Sequence, residues 1–187
     1  MNLINLQRFV PPPSQPIDAP SLAEWETYQL ITGILLPPDF QELLSAYGSG
    51  DFDTVVFLYN PFCRSLYTMF KRTLYEIMVD LQGIRYLKTQ GDAESFPYAV
   101  YPDPGGVFPW ARTSNGDQLF WLTTGEPSQW TIVLNESHSR LFEHFSCTTT
   151  EFLYGIMTGA LHSEIISRDD FRSPPIFLQP DDHHTDG

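Results

Sequence analysis

Apolar residues recur at helical spacing through the first half of the chain and at alternating spacing through much of the second. Ser21 with Glu24 has capping-box spacing, and Leu22, Trp25 and Tyr28 follow at helical intervals until Gly33, which predicts a helix over about Leu22 to Thr32. In LPPDFQELLSAYG the prolines pre-set a first turn, Phe40, Leu43, Leu44 and Tyr47 share one face, and Gly48 ends the helix. The β-branched and aromatic run Thr54 to Tyr59 reads as a short strand stopped by Asn60-Pro61. From about Arg64 to Gln82, Leu66, Met69, Thr73, Leu74, Ile77 and Leu81 trace one stripe, and Gly83 is expected to close that longer helix.

Phe108 to Thr113 and Gln118 to Leu122 flank Asn115-Gly116, a hairpin signal whose type I′ turn needs positive φ at both central residues. Trp130 to Leu134 and Leu141 to Phe145 continue the pattern, giving about four antiparallel strands in a meander. Thr148 and Glu151 repeat the capping-box spacing before an apolar face of Phe152, Leu153, Ile156 and Met157 that ends near Gly159. Pro174 to Leu178 can add an edge strand. Helices precede and follow the strands without βαβ alternation, so the expected class is α+β: a curved antiparallel β-sheet flanked by N-terminal and C-terminal helices. The five prolines of residues 1–20 predict an extended arm, 21–178 a single domain, and 179–187 a disordered acidic and histidine-bearing tail.

The 187 residues, 42% hydrophobic and 14% aromatic, suffice for one core and argue against a disordered chain. A formal charge of −13 repels phosphate backbones and anionic headgroups, so direct nucleic-acid and membrane binding are not expected. The same field suits a basic partner, although acidity alone also serves solubility. Charge is segregated: residues 61–90 carry five Lys or Arg against two Asp or Glu inside this acidic chain, a balance most simply read as a solvated helix face. Cys63 and Cys147 occur in neither a disulfide framework nor a zinc spacing, and the N-terminus has no leader-like apolar run, which together favour a cytoplasmic setting.

Candidate chemistry is sparse. Cys147 near His144 could form a thiol–imidazole pair, but a small buried thiol is the commoner reading. His183 and His184 with Asp181, Asp182 and Asp186 have metal-binding side chains but nothing nearby to fix a geometry, and no metal or cofactor is expected. His138 and His162 fall at ordinary turn and helix-end positions. Gly105-Gly106 lacks the following GKS or GKT of a phosphate loop and fits a tight backbone turn instead. Asp117 either accepts N–H groups of its turn or faces a partner, and Trp110, Trp121 and Trp130 are expected in the core, with an exposed aromatic groove as the alternative.

Three blocks, LPPDFQELLSAYGSGDFD, YPDPGGVFPWARTSNGDQLFWLTTGEPSQW and FSCTTTEFLYGIMTG, resemble in order and spacing the successive blocks of Smi/Knr-like proteins of the SUKH superfamily. The resemblance runs from about Trp25 to Gly159 and leaves the proline-rich start and the histidine tail outside it, while the basic segment from Arg64 to Lys88 is longer than in many members. It implies a non-catalytic, cytoplasmic immunity protein that binds and neutralises a cognate protein toxin, or, as in fungal relatives, a scaffold or regulatory adaptor. Pro37, Gly106, Trp110, Gly116, Asp117 and Trp121 match the pattern; Pro37, Gly106, Trp110 and Gly116 look like structural markers, and Asp117 and Trp121 are the candidates for partner contact.

Overall fold

The computed structural model describes residues 3–64, 74–92 and 96–184. Its strands are β1 (Asp51–Phe52), β2 (Val56–Leu58), β3 (Val107–Thr113), β4 (Gln118–Leu122), β5 (Thr131–Asn135), β6 (Phe142–Phe145) and β7 (Phe177–Leu178). They form one antiparallel sheet in the order β6-β5-β4-β3-β2-β1-β7. The helices are α1 (Leu3–Phe9), α2 (Leu22–Thr32), α3 (Pro38–Tyr47), α4 (Leu74–Leu87) and α5 (Thr149–Thr158). This is the expected α+β class, with the meander β3 to β6 running to one edge of the sheet and the PPIFL strand at the other.

Alternation along the strands divides the side chains between two faces. Phe108, Trp110, Leu119, Trp121, Ile132 and Leu134 join the main core with α3 and α5, whereas Val107, Phe120 and Val133 form a smaller cluster on the other face with Ile84, Phe96 and Phe142. One irregularity concentrates aromatic mass in the main core. The β3–β4 register shifts between Pro109 and Ala111, leaving Trp110 without a residue opposite it, so that Trp110 and Ala111 are consecutive and both buried in the main core. No periodicity announces such a bulge, because it breaks the period.

The hairpin at Asn115-Gly116 forms, but with a different turn from the one expected. Gly116 N–H donates to Thr113 O, Thr113 N–H to Asp117 O, and of the turn residues only Gly116 has positive φ, at 91°. That is a three-residue loop with one left-handed residue, the usual bulged alternative to type I′. Two consecutive left-handed residues occur instead between β1 and β2, at Asp53 (φ 57°) and Thr54 (φ 60°). The strain of a β-branched residue there is offset locally, since the Thr54 N–H donates to Asp51 Oδ1 at 2.6 Å.

Both capping boxes are in place: Ser21 with Glu24 starts α2, and Thr148 with Glu151 starts α5. Pro37 caps α3 and Pro38 opens it, so the Leu-Pro-Pro start works as its fixed φ implies. Asp39 then ties the two helices together by accepting the Thr150 N–H at 2.9 Å, and burial holds its carboxyl above the ordinary carboxylate range.

The two chain ends depart from expectation. Residues 3–9 are helical, with Leu6 and Val10 fully buried and Phe9 edge-on to Tyr154 at 5.6 Å. The prolines begin only at position 11, so they govern the chain after this helix and not within it. The segment between α1 and α2 is bound as well: Tyr47 Oη donates to Val10 O at 2.6 Å and Ser49 N–H to Ile17 O at 2.7 Å. At the other end Gln179 Oε1 accepts the Ile17 N–H at 2.8 Å, and Pro180–His184 makes a short 3₁₀ turn with Pro180 buried, so the described part of the tail is ordered.

The long helix also differs. Leu66, Met69 and Thr73 lie outside the described residues, and α4 runs through Gly83 to Leu87 instead of stopping there. Beyond the glycine, Ile84 packs against both apolar clusters, and that burial outweighs the weak propensity of one residue. A Cβ at Gly83 meets nothing within 4 Å. Gly83→Ala is therefore expected to stabilise the protein by about 0.5–1 kcal/mol, read as a rise of about 1–4 °C in Tm.

Candidate protein-docking surface

The residues that the sequence offers for partner contact lie inside the fold. Asp117 is only 3% exposed; its carboxylate accepts from Thr113 Oγ1 at 2.6 Å and from the Ser137 N–H at 2.9 Å, tying the β3–β4 loop to the turn after β5. Trp121 is 1% exposed and donates its indole N–H to Thr149 Oγ1 at 2.9 Å. Neither presents its side chain to a partner, which sets aside both candidates for partner contact and leaves the other reading of each, a turn acceptor for Asp117 and a core ring for Trp121. A turn carboxylate has more to gain from nearby N–H and hydroxyl donors than from water, and a tryptophan on a central strand buries the most area inward.

The matching residues with structural roles keep them. Trp110 is buried in the same aromatic group, and among the described residues its indole N–H meets no acceptor. A Cβ on Gly106 would lie 2.4 Å from the Tyr101 nitrogen, so only glycine lets the 100–106 turn close against β3, while Gly105 takes φ of 68°.

Cys147 and His144 do not form a pair. The thiol packs against the main core, and burial, with Glu151 and Asp39 nearby, pushes its pKa up to about 12. His144 pairs with Val133 on β5, on the sheet's other face, and its Nε2 shares a hydrogen bond with Thr131 Oγ1 at 2.8 Å. His138 and His162 are exposed as expected. Among the described residues no group of His, Cys, Asp or Glu could hold a metal ion.

A polar cleft of about 240 Å³ does collect the carboxylates of Asp53, Asp117 and Asp170, but all three serve the fold. Asp53 accepts the Arg172 and Ile176 N–H groups, each at 3.2 Å, and so fastens the strap that carries β7. Burial pushes its carboxyl above the ordinary range, with the Ile176 and Arg172 N–H groups opposing that shift. Asp170 accepts the Ser167 N–H at 2.8 Å to close its own turn.

What the fold leaves outward is apolar and localised. Among the described residues nine large hydrophobic side chains are exposed; one, Ile4, lies on α1, and the other eight lie on α2, the loop after it, and α4. On α2 only Trp25 is buried, edge-on to Phe62 at 4.7 Å, while Leu22, Leu30 and Ile31 are 74%, 86% and 77% exposed. On α4 Tyr75, Val79 and Tyr86 recur at helical spacing on the side away from the buried Ile77 and Leu81. Tyr28 of α2 and Ile77 of α4 line one small cavity beside Pro61, so the two helices approach each other there. A groove of about 240 Å³ opens beside α2 between Ile31, Tyr28 and Phe62. At its rim the Ser21 backbone N–H and hydroxyl, with the Arg64 guanidinium, hold Glu24 below the ordinary carboxylate range.

Periodicity missed this surface because it reports which residues share a face and not whether that face is covered. Leu22 stands in phase with Trp25 yet faces water. Patches of this kind, rimmed by polar groups, mark protein-interaction sites in folded domains. No helix among the described residues is long and apolar enough to cross a membrane. Comparison of the chain with protein-family models, with curated proteins and with solved structures finds no match.

Proposed function

We propose that this chain is a cytoplasmic, non-catalytic protein-binding domain of the SUKH immunity type, which neutralises a cognate protein toxin by covering its active site or substrate groove. The observation that carries the reading is the gathering of exposed apolar side chains on α2 and α4, in a chain whose motif residues are committed to its core. The net charge of −13 supports a basic partner, for which a nuclease is the natural match, because carboxylates occupy sites shaped for phosphates and speed encounter.

The test is co-purification with the toxin encoded beside this gene, at moderate salt, followed by a titration with surface variants. Leu30→Asp and Ile31→Asp are expected to weaken binding about tenfold or more while leaving Tm within about 2 °C, since both side chains face water in the free protein. A complex indifferent to both substitutions removes α2 from the interface. Absence of any complex removes the toxin pairing.

A further inference from the structure

The uncovered face of α2 is chemically simple enough to say what can cover it. Leu22, Glu26 and Leu30 stand four residues apart in one row along the helix, and Ala23, Thr27 and Ile31 form the next row, all six exposed. The Thr27 hydroxyl donates to Ala23 O at 2.8 Å, so it is satisfied within the helix. Glu26 is then the one side chain of the six whose polar group needs a partner from outside.

The two carboxylates of α2 differ in this respect. Glu24 is engaged by the fold: its Oε2 accepts the Ser21 N–H and hydroxyl, each at 2.8 Å, and its Oε1 lies 3.6 Å from the Arg64 guanidinium. No hydrogen bond or ion pair engages Glu26 among the described residues, and α2 carries no Lys or Arg. A partner that covers Leu22 and Leu30 must also cover Glu26, which stands between them. Taking a carboxylate out of water without a counter-charge is strongly unfavourable, so the partner has to bring a cation together with its apolar side chains. Arginine suits that position best, because its planar guanidinium is weakly hydrated and meets a carboxylate through two N–H donors.

We propose that this face of α2 receives a helix of the protein partner in which an arginine is flanked, about one turn to either side, by apolar side chains, the arginine on Glu26 and the apolar residues against Leu22, Leu30 and Ile31. A helix laid alongside α2 repeats its spacing of about 6 Å per four residues, so all three contacts form in one register. The contact rests on the protein-binding reading above and supplies its chemistry. A second copy of α2 does not fit, since it has no cation to offer and brings carboxylates to a face that already carries one.

The experiment uses the full chain and three capped peptides, helix-forming sequences of alanine and glutamine that carry leucine, X and leucine four positions apart, with X arginine, glutamine or glutamate. Each is titrated while backbone amide resonances are recorded. Expected is saturable movement of the amides of Glu26, Thr27, Leu30 and Ile31 with the arginine peptide, and affinity about fivefold or more weaker for the glutamine peptide and weaker again for the glutamate one. Glu26→Gln should abolish the preference for arginine and Glu26→Arg should turn it toward glutamate. Glu164→Gln, the same change of net charge at an exposed residue after α5, should leave it intact. Equal affinity for the three peptides overturns the proposal, as does a preference that survives Glu26→Gln or is lost equally in Glu164→Gln. So does no binding of any peptide, or, in place of peptide binding, self-association or attachment to phosphatidylglycerol vesicles that Leu30→Asp removes. A toxin complex that forms while the peptides fail overturns this contact and leaves the proposed function standing, whereas peptides that bind as expected without a toxin complex support the contact and remove the toxin pairing.

Discussion

Trp121→Ala is expected to cost about 4 kcal/mol, enough to lower Tm by about 8–16 °C and to exhaust much of the stability a domain of this size ordinarily has. The reason is position. The indole stacks on Phe108 at 6.1 Å and on Trp110 at 6.0 Å, meets Phe40 edge-on at 4.8 Å and tilts against Trp130 at 6.0 Å. Truncation opens a cavity among these four aromatic side chains, where no single neighbour can move in without leaving another contact. The indole N–H adds a further part, because its loss leaves Thr149 Oγ1 at the start of α5 without that donor.

Phenylalanine substitutions separate the ring from its N–H. Trp121→Phe removes ring volume and the Thr149 bond together, whereas Trp110→Phe removes volume and a donor that meets no acceptor among the described residues. The first should therefore be more destabilising than the second by about 1 kcal/mol in chemical denaturation. The reverse order would show that ring area, and not the link to α5, sets the importance of Trp121.

The same residues show what a sequence discloses. Helices α2, α3 and α5 were legible because each start is written in residues no more than three positions apart: Ser21 and Glu24, Pro37 and Pro38, Thr148 and Glu151. The central meander was legible through its alternation and its Asn-Gly turn. Helix α1 was not, since seven residues hold a helix only by burying Leu6 against elements that arrive much later in the chain. Nor was the bulge at Trp110, or the docking surface, whose apolar residues carry the same local pattern as buried ones. Asp117 was correctly placed in a turn, but its second partner, Ser137, lies 20 residues away. Interaction surfaces are defined by what fails to pack on them, and that depends on the whole fold.

Gly48→Ala is expected to destabilise by about 3 kcal/mol or more, although the site looks like an ordinary helix end. Gly48 has φ 72° and ψ −150°, a region that residues with a Cβ avoid, and an added Cβ would lie 2.1 Å from Ile17 O. That oxygen cannot simply withdraw. It accepts the Ser49 N–H at 2.7 Å, while the Ile17 N–H donates to Gln179 Oε1 at 2.8 Å, so displacing residue 17 loosens the N-terminal segment and the C-terminal tail together. Gly33→Ala is the control, because Gly33 also ends a helix, at φ 70°, but nothing lies within 4 Å of its added Cβ. It should cost only the backbone strain, about 1–2 kcal/mol. If steric displacement adds to strain, Gly48→Ala will show both the lower Tm and new proteolytic cleavage between residues 10 and 20, and Gly33→Ala neither the cleavage nor more than about two thirds of the loss. Equal losses without cleavage would mean that strain alone sets the cost, and that the arm is not held through Gly48.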